Sequence, residues 1–315
     1  MNNKDILAAL GGANNKIPAG FWLHFPGEEY YGKKTIQAHL RFFEETGVDF
    51  LKLMNEYKVV TPAYITSASD WKYVKPFGKD TGFVRQQLDV IKAVSDILGK
   101  RTPLIATIHG VFASAFHACR SEEARFSRGN PVSEHLFTDP KTTSGGLKAV
   151  AEGLAEFSLA CIEAGAAGIY YAALGGEDYR FSAGQFEEWI KPLDLLVLNA
   201  VKEKTDLSIL HICKDQVRLP LYADYPASVV NWAIHESNLG LEEGAVIFKD
   251  RIILGGLDDR SGVLVDGSRD EIRTAVAAAK AAMKNRDFIV GADCTLPTEI
   301  SPQRIRWAVE AAHGE

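Results

Sequence analysis

The feature of this sequence that most constrains its fold is an alternation, repeated eight times, of a short apolar run with a helix-like segment. The runs are rich in β-branched and aromatic residues, and a polar turn follows each of them. They cover residues 17–24, 49–54, 103–109, 168–173, 207–213, 228–233, 251–258 and 288–294. Near-continuous apolar strands that alternate with helices indicate a parallel sheet covered on both faces.

Eight such units in 315 residues favour an α/β fold of the (β/α)8 TIM barrel type over an open doubly wound sheet. The open sheet usually carries a glycine-rich phosphate-binding turn after its first strand, and residues 25–28 lack that fingerprint. We therefore expect a single (β/α)8 barrel domain over residues 1–315. Long insertions at 55–80 and 110–140 are expected to extend over the C-terminal mouth, where barrel substrates bind.

Charge and hydropathy exclude several classes of partner. The chain has 35 basic and 41 acidic side chains, a net charge of −6, which argues against binding to nucleic acid or to an anionic membrane surface. No apolar run approaches the ~18 residues of a transmembrane helix. Residues 1–5 do not open a secretory signal. We expect a cytoplasmic protein with neither nucleic acid nor membrane among its partners.

Four cysteines are too few and too scattered for a disulfide framework. Cys119 and Cys161 lie in helix-like apolar segments, where cysteine behaves as a small buried hydrophobe. Cys213 ends the fifth apolar run, and Cys294 ends the eighth. In a barrel, both positions lie at the C-terminal mouth, where active sites are built.

His211 and Cys213 are two residues apart on one strand, so their side chains point the same way, about 6.5 Å apart along the chain. With Cys294 they offer one imidazole and two thiolates, a good zinc set that leaves a fourth, catalytic position open. Such a site favours alkylation of a bound thiolate over hydrolysis, because two thiolates cancel the charge of the ion and keep sulfur electron-rich. A strand histidine near two buried cysteines, without metal, is the alternative.

Nearly the whole chain resembles the uroporphyrinogen decarboxylase superfamily, whose members are (β/α)8 barrels. The segments that carry the resemblance are residues 17–18, 46–49, 163–166, 211–213, 255–258, 291–300 and 301–305. One branch, the zinc-dependent corrinoid methyltransferases that include methylcobalamin:coenzyme M methyltransferase, has His-x-Cys followed much later by a third cysteine. His211, Cys213 and Cys294 match that pattern.

The resemblance implies a Zn²⁺ ion held by these three catalytic residues, and methyl transfer between a corrinoid and a thiol or another small molecule. The chain has no Asp-x-His-x-x-Gly signature of a corrinoid-binding module. The corrinoid co-substrate is therefore expected on a separate corrinoid protein or as free methylcobalamin. The identity of the methyl donor and acceptor and the direction of transfer stay open.

Cofactor-free decarboxylation of uroporphyrinogen, or of a related acid, is the alternative activity. The decarboxylases have an arginine-rich motif after strand one, which clamps substrate carboxylates. Residues 24–29 here contain no arginine and two acids. The decarboxylase motifs Ser-Asp-Ile and Gly-His-Gly are also replaced, by Met54-Asn55-Glu56 and Asp293-Cys294-Thr295. These departures favour methyl transfer. A non-catalytic barrel that binds a tetrapyrrole is a third possibility.

Five further residues are expected at the mouth as substrate-binding groups. His24 and His109 end the first and third runs and are suited to substrate binding or acid–base work, or to a structural hydrogen bond. Asn55 and Tyr171 are expected to orient substrate by hydrogen bonds, with a structural role as the alternative. Asp258 matches a superfamily position and is expected to orient a ligand or support a loop.

Overall fold

The computed structural model describes residues 1–12, 16–59, 61, 65–119, 130–237 and 239–315. Eight parallel strands within them form one sheet. The strands are β1 (Ala19–Gly20), β2 (Leu51–Leu53), β3 (Leu104–His109), β4 (Gly168–Ala173), β5 (Ser208–Ile212), β6 (Val229–Trp232), β7 (Ile252–Leu257) and β8 (Phe288–Ala292). The observed order is β1-β8-β7-β6-β5-β4-β3-β2, which confirms the predicted TIM-barrel fold.

The barrel nearly closes where its first two strands meet. The backbone N–H of Asp49, just before β2, donates to the carbonyl of Ala19 in β1 at 3.0 Å. The ring of Phe50 lies directly over Gly20, where a Cβ atom would come within 2.0 Å of it. Only glycine permits this approach, so the sequence at residue 20 sets how tightly the seam packs.

Twelve α-helices in the described part of the chain accompany the eight strands. They are α1 (Asn3–Ala9), α2 (Gly32–Thr46), α3 (Gly82–Leu98), α4 (Val111–Ala118), α5 (Pro131–Thr138), α6 (Pro140–Glu163), α7 (Ala183–Trp189), α8 (Lys191–Lys202), α9 (Leu241–Ile247), α10 (Val263–Asp266), α11 (Arg269–Ala282) and α12 (Pro302–His313). Among the described helices, none combines the length and the apolar character needed to cross a bilayer.

The two insertions behave differently. Residues 110–140 form α4 and α5 and reach the mouth, as predicted, although 120–129 lie outside the described residues. In the described part of 55–80, Glu56 contacts His24 of the cavity lining, whereas residues 65–80 do not line that cavity. The buried Trp71 donates from Nε1 to Nδ1 of His135 on α5 at 3.0 Å. The burial of an indole with a paired N–H fixes this segment to the helical layer.

A buried carboxylate lies between the sheet and α8. Asp194 accepts a hydrogen bond from the hydroxyl of Tyr171 on β4 and another from the hydroxyl of Tyr225 at 3.0 Å. Burial raises the pKa of Asp194 to about 7, against the two hydrogen bonds, which lower it. The folded protein therefore holds a proton here that the unfolded chain releases near pH 4.

This site predicts a specific pH dependence of stability. Since the pKa of Asp194 is raised in the folded state, its contribution is fully present below pH 4 and is lost as the pH rises to about 7. Asp194→Asn should remove that loss. Chemical denaturation from pH 4 to 7 should show the wild type losing up to about 4 kcal/mol relative to the variant.

Asp250→Asn, at an exposed position after α9, is the matched control and should track the wild type. Parallel curves for the wild type and Asp194→Asn would contradict the assignment of the proton to this residue.

Candidate metal centre

The ends of two distant strands bring one imidazole and two thiols together. His211 lies on β5, Cys213 follows the end of that strand, and Cys294 lies two residues beyond β8. Sγ of Cys294 is 3.3 Å from Nε2 of His211. The three donor atoms all lie within 4.8 Å of one another. The structure therefore brings together the three residues that the sequence singles out.

This donor set fits a zinc ion. Zn–S bonds near 2.3 Å and Zn–N bonds of 2.0–2.1 Å, at tetrahedral angles, place an Nε2–Sγ pair about 3.6 Å apart. The distance between His211 and Cys294 is 3.3 Å, so a small outward movement of the donors accommodates the ion. Among the described residues, His211, Cys213 and Cys294 are the group of histidine, cysteine or acidic side chains whose donor atoms lie close enough together to share one metal ion.

Asn231 on β6 fixes the tautomer of His211. Its side-chain Nδ2 donates to the carbonyls of Leu254 and Ala292, at 3.0 and 3.1 Å. Its Oδ1 therefore faces Nδ1 of His211, 2.6 Å away, and must accept the imidazole proton. Nε2 is left with a lone pair directed at the two thiols. This is the arrangement that a metal-ligating histidine requires.

The thiols of Cys213 and Cys294 differ in acidity. A hydrogen bond from Cys213 is the main cause that lowers the pKa of Cys294 well below that of an ordinary cysteine, and the His211 imidazole lowers it further. The same hydrogen bond, together with burial, raises the pKa of Cys213. Cys119 and Cys161 lie outside this cluster, and burial raises the pKa of both thiols. A thiolate therefore forms most readily at Cys294.

A buried lysine lies beside the cluster. The ammonium of Lys52, on β2, is 4.3 Å from the ring centre of Tyr170, and that ring stacks on the His211 imidazole at 5.3 Å. Its Nζ also lies 3.1 Å from the sulfur of Met54. Burial lowers the pKa of Lys52 to about 7, while the nearby Cys294 and Glu56 charges oppose the shift. The lysine brings positive charge close to the thiol cluster.

The cluster opens into a cavity of about 260 Å³. His24 and His109 both line it, as the sequence predicts for residues at strand ends. Nδ1 of His24 lies 2.6 Å from Oε1 of Glu56, so a carboxylate orients this imidazole. This volume is slightly below the usual range for small-molecule pockets.

Three other predicted residues lie elsewhere. Tyr171 points out of the barrel to Asp194 and does not line the cavity. Asn55 is buried, and its Oδ1 accepts from the backbone N–H of Tyr57 at 3.1 Å, so it orders the chain after β2. Asp258 accepts hydrogen bonds from residues 260 and 261 and supports a turn, which was one of its two expected roles. Tyr170 and Asp259, the sequence neighbours of Tyr171 and Asp258, line the cavity in their place.

Sequence reasoning also missed several polar residues of the site. Asn231, Lys52 and Asp259 are buried at the mouth or inside the barrel, and Arg180 lines the cavity from the loop after β4. A buried Lys52 in an otherwise apolar run (Phe50 to Met54) was a visible signal, because lysine is rarely buried without a purpose. Asn231 in the run 228–233 was a comparable one.

The chain is an eight-stranded parallel barrel with a histidine and two cysteines at its mouth, and sequence comparison identifies its family. The uroporphyrinogen decarboxylase (URO-D) family model matches residues 39–315. The chain belongs to this family.

Two curated relatives are named methylcobamide:CoM methyltransferase MtbA. The protein of Methanosarcina mazei is 24% identical over 79% of this chain and 69% of its own length. That of Methanosarcina acetivorans is 24% identical over 72% of this chain and 62% of its own length, so the chain spans less than two thirds of it.

Two solved structures share the fold. A methyltransferase from Methanosarcina mazei superimposes with a TM-score of 0.74 at 16% identity, over 99% of this chain and 98% of that one. A B12-independent methionine synthase from Shewanella sp. W3-18-1 gives a TM-score of 0.63 at 11% identity, over 94% and 96%. At these identities the likeness concerns the barrel alone.

The role of Asn231 is testable through metal affinity. Asn231→Leu removes the acceptor that fixes the His211 tautomer, so zinc affinity should fall roughly 10- to 100-fold. Competition against a chromophoric chelator measures this change. Asn199→Leu, at an exposed position on α8, should leave the affinity unchanged. A folded Asn231→Leu protein with wild-type zinc affinity would exclude the proposed orienting role.

Proposed function

We propose that this protein is a zinc-dependent methyltransferase that moves a methyl group between a corrinoid and a small thiol. The observation that carries the proposal is the convergence of His211, Cys213 and Cys294 within 4.8 Å at the barrel mouth. Bound there, zinc would keep a thiol substrate in its thiolate form at neutral pH. The three protein donors leave room for that sulfur.

The proposed methyl transfer is a nucleophilic displacement at the methyl carbon. The thiolate sulfur forms a bond to the methyl carbon while the cobalt–carbon bond of the methylcorrinoid breaks. The electron pair of the broken bond stays on cobalt, which goes from Co(III) to Co(I), and the product is a methyl thioether. The reverse reaction, demethylation of a small molecule, uses the same residues.

The chain's own residues prepare the site for a thiolate. Asn231 holds the His211 imidazole with Nε2 toward the thiols. The Lys52 ammonium, over the Tyr170 ring, places a positive charge near the excess negative charge that two cysteine thiolates and a substrate thiolate produce. His24, which contacts Glu56 and lines the cavity, would accept the proton of an entering thiol.

The corrinoid is proposed to come from outside the chain, on a separate corrinoid protein or as free methylcobalamin. A cavity of about 260 Å³ admits a small molecule but not a corrin ring, so the corrinoid would meet the substrate at the open mouth. The names of the two curated relatives, methylcobamide:CoM methyltransferase, support a methyl-corrinoid donor. We propose that this activity resides in one barrel domain of a cytoplasmic protein.

The metal and the activity should be lost together. Protein purified without added zinc should contain near one zinc per chain, and Cys294→Ser should lose both the metal and methyl transfer. Elemental analysis measures the zinc, and the absorbance change from methylcobalamin to its demethylated form, with a thiol present, measures the transfer. Cys161→Ser, at the buried cysteine of α6, should retain both.

Decarboxylation is the competing outcome. A metal-free protein that converts uroporphyrinogen to its tetracarboxylate product would overturn the methyltransferase proposal. A Cys294→Ser variant that keeps full methyl-transfer activity would also overturn it, because the third metal ligand would then be dispensable.

A further inference from the structure

Two loops at the N-terminal end of the barrel carry the same basic pattern. Residues 249–251 lie between α9 and β7, residues 284–286 lie between α11 and β8, and each segment reads Lys-x-Arg. Strands β7 and β8 are neighbours, and the backbone N–H of Ile253 donates to the carbonyl of Asp287 at 3.0 Å, so the two loops lie side by side. Because both loops precede parallel strands, they lie at the end of the barrel opposite the thiol cluster.

The two loops form a cleft of about 510 Å³, which we call the basic cleft. Its lining consists of Lys249, Arg251, Lys284, Asn285, Arg286 and Asp287. Four of these side chains are cations, and one is an acid. The volume lies within the usual range for small-molecule sites. A cleft lined mainly by charges of one sign concentrates the electric field and attracts ions of the opposite sign.

The protein itself does not neutralise these four cations. Within the part of the chain that the structure describes, none of them forms an ion pair with a carboxylate. Asp287, the acid of the lining, accepts a hydrogen bond from Nδ2 of Asn3 at 2.9 Å. Elsewhere Arg41, Arg101 and Arg269 each pair with a glutamate. Since the chain has 41 acidic and 35 basic side chains, four neighbouring cations without a carboxylate are unexpected.

Backbone contacts hold both guanidiniums of the basic cleft in place. Nη2 of Arg251 donates to the carbonyl of Tyr225 at 3.3 Å, and Nη2 of Arg286 donates to the carbonyl of Phe248 at 2.9 Å. These bonds account for one nitrogen of each arginine. Nε and Nη1 of both side chains have no hydrogen-bond partner among the described residues. A guanidinium with open N–H groups matches the oxygens of a phosphate in pairs.

We propose that the basic cleft binds a small anion that carries two or more linked phosphate groups. Several negative charges are needed to balance four cations, and two anchored guanidiniums suit two phosphates. None of the described residues that line the cleft is aromatic or aliphatic, so the cleft would recognise the phosphates and not the group attached to them. This site lies apart from the thiol cluster and does not depend on the proposed methyl transfer.

Isothermal titration calorimetry with pyrophosphate, at low ionic strength and without divalent metal, tests the proposal. Pyrophosphate should bind at one site per chain, about tenfold or more tightly than sulfate, because it offers more charge and a second phosphate. The affinity should fall as salt is added, since salt screens exposed charges. ADP should bind about as tightly as pyrophosphate, because the lining offers no platform for its base.

A matched pair of double variants locates the bound anion. Lys249→Gln/Lys284→Gln removes two exposed charges and no contact within the described part of the protein, so it should fold and should bind pyrophosphate about tenfold or more weakly. Lys33→Gln/Lys34→Gln makes the same change in charge at exposed positions of α2 and should keep the wild-type affinity.

Arg251→Lys/Arg286→Lys tests the paired donors, because it keeps both charges and removes the planar forks. It should also weaken pyrophosphate binding, and a wild-type affinity would contradict the assigned role of the guanidiniums.

Three results would overturn the proposal. One is sulfate binding as tightly as pyrophosphate, since the cleft would then attract any anion. Another is a wild-type affinity in Lys249→Gln/Lys284→Gln, because pyrophosphate would then be bound elsewhere, such as at the cations of the mouth. The third is an equal loss of affinity in Lys33→Gln/Lys34→Gln, which would indicate a response to net charge alone. None of these results affects the methyltransferase proposal.

Discussion

The site depends on one amide at the centre of the barrel. Asn231 accepts from His211 on β5 and donates to carbonyls of Leu254 on β7 and Ala292 on β8. A single side chain of β6 thus connects three other strands. The carbonyl of Ala292 lies two residues before Cys294, so the contacts that orient the imidazole also fix the chain that carries the distant thiol. Contacts within the protein thus hold the three proposed metal ligands together.

The cavity combines several charges that each need compensation. Lys52 and Arg180 are buried cations, and Asp259 is a buried acid whose pKa rises to about 7 mainly through desolvation. Burial of such groups costs stability in a fold that needs none of them for its core. Groups of this kind concentrate where chemistry requires them. Here they surround a site whose proposed reaction starts from a negatively charged thiolate sulfur.

The strand pattern was sufficient to predict the fold and the convergence of the three proposed metal ligands. Apolar runs alternating with helices predicted the barrel, and the barrel places His211, Cys213 and Cys294 at one mouth whatever the register of the strands, because all parallel strands end at the same rim. The clearest departures were the first two strands. The runs 17–24 and 49–54 form strands only at Ala19–Gly20 and Leu51–Leu53.

Whether predicted substrate-binding residues such as Tyr171 and Asp258 face the cavity depends on the register of their strands, which the sequence alone does not give. Ala172 pairs with both His109 and His211, so these three side chains share the inner face. Alternation then directs Tyr171 outward and Tyr170 inward. At β7, the left-handed φ of 109° at Gly256 interrupts the alternation, and the cavity receives Asp259 instead of Asp258. Long-range partners such as Asn231 for His211 need the folded chain.

Zinc K-edge X-ray absorption on protein purified without added metal tests whether His211, Cys213 and Cys294 share one zinc ion. If they do, the zinc should have two sulfur neighbours near 2.3 Å and one imidazole nitrogen near 2.0–2.1 Å, and a third sulfur once a thiol substrate is added. Zinc bound only through nitrogen and oxygen, or no zinc at all, would contradict this assignment.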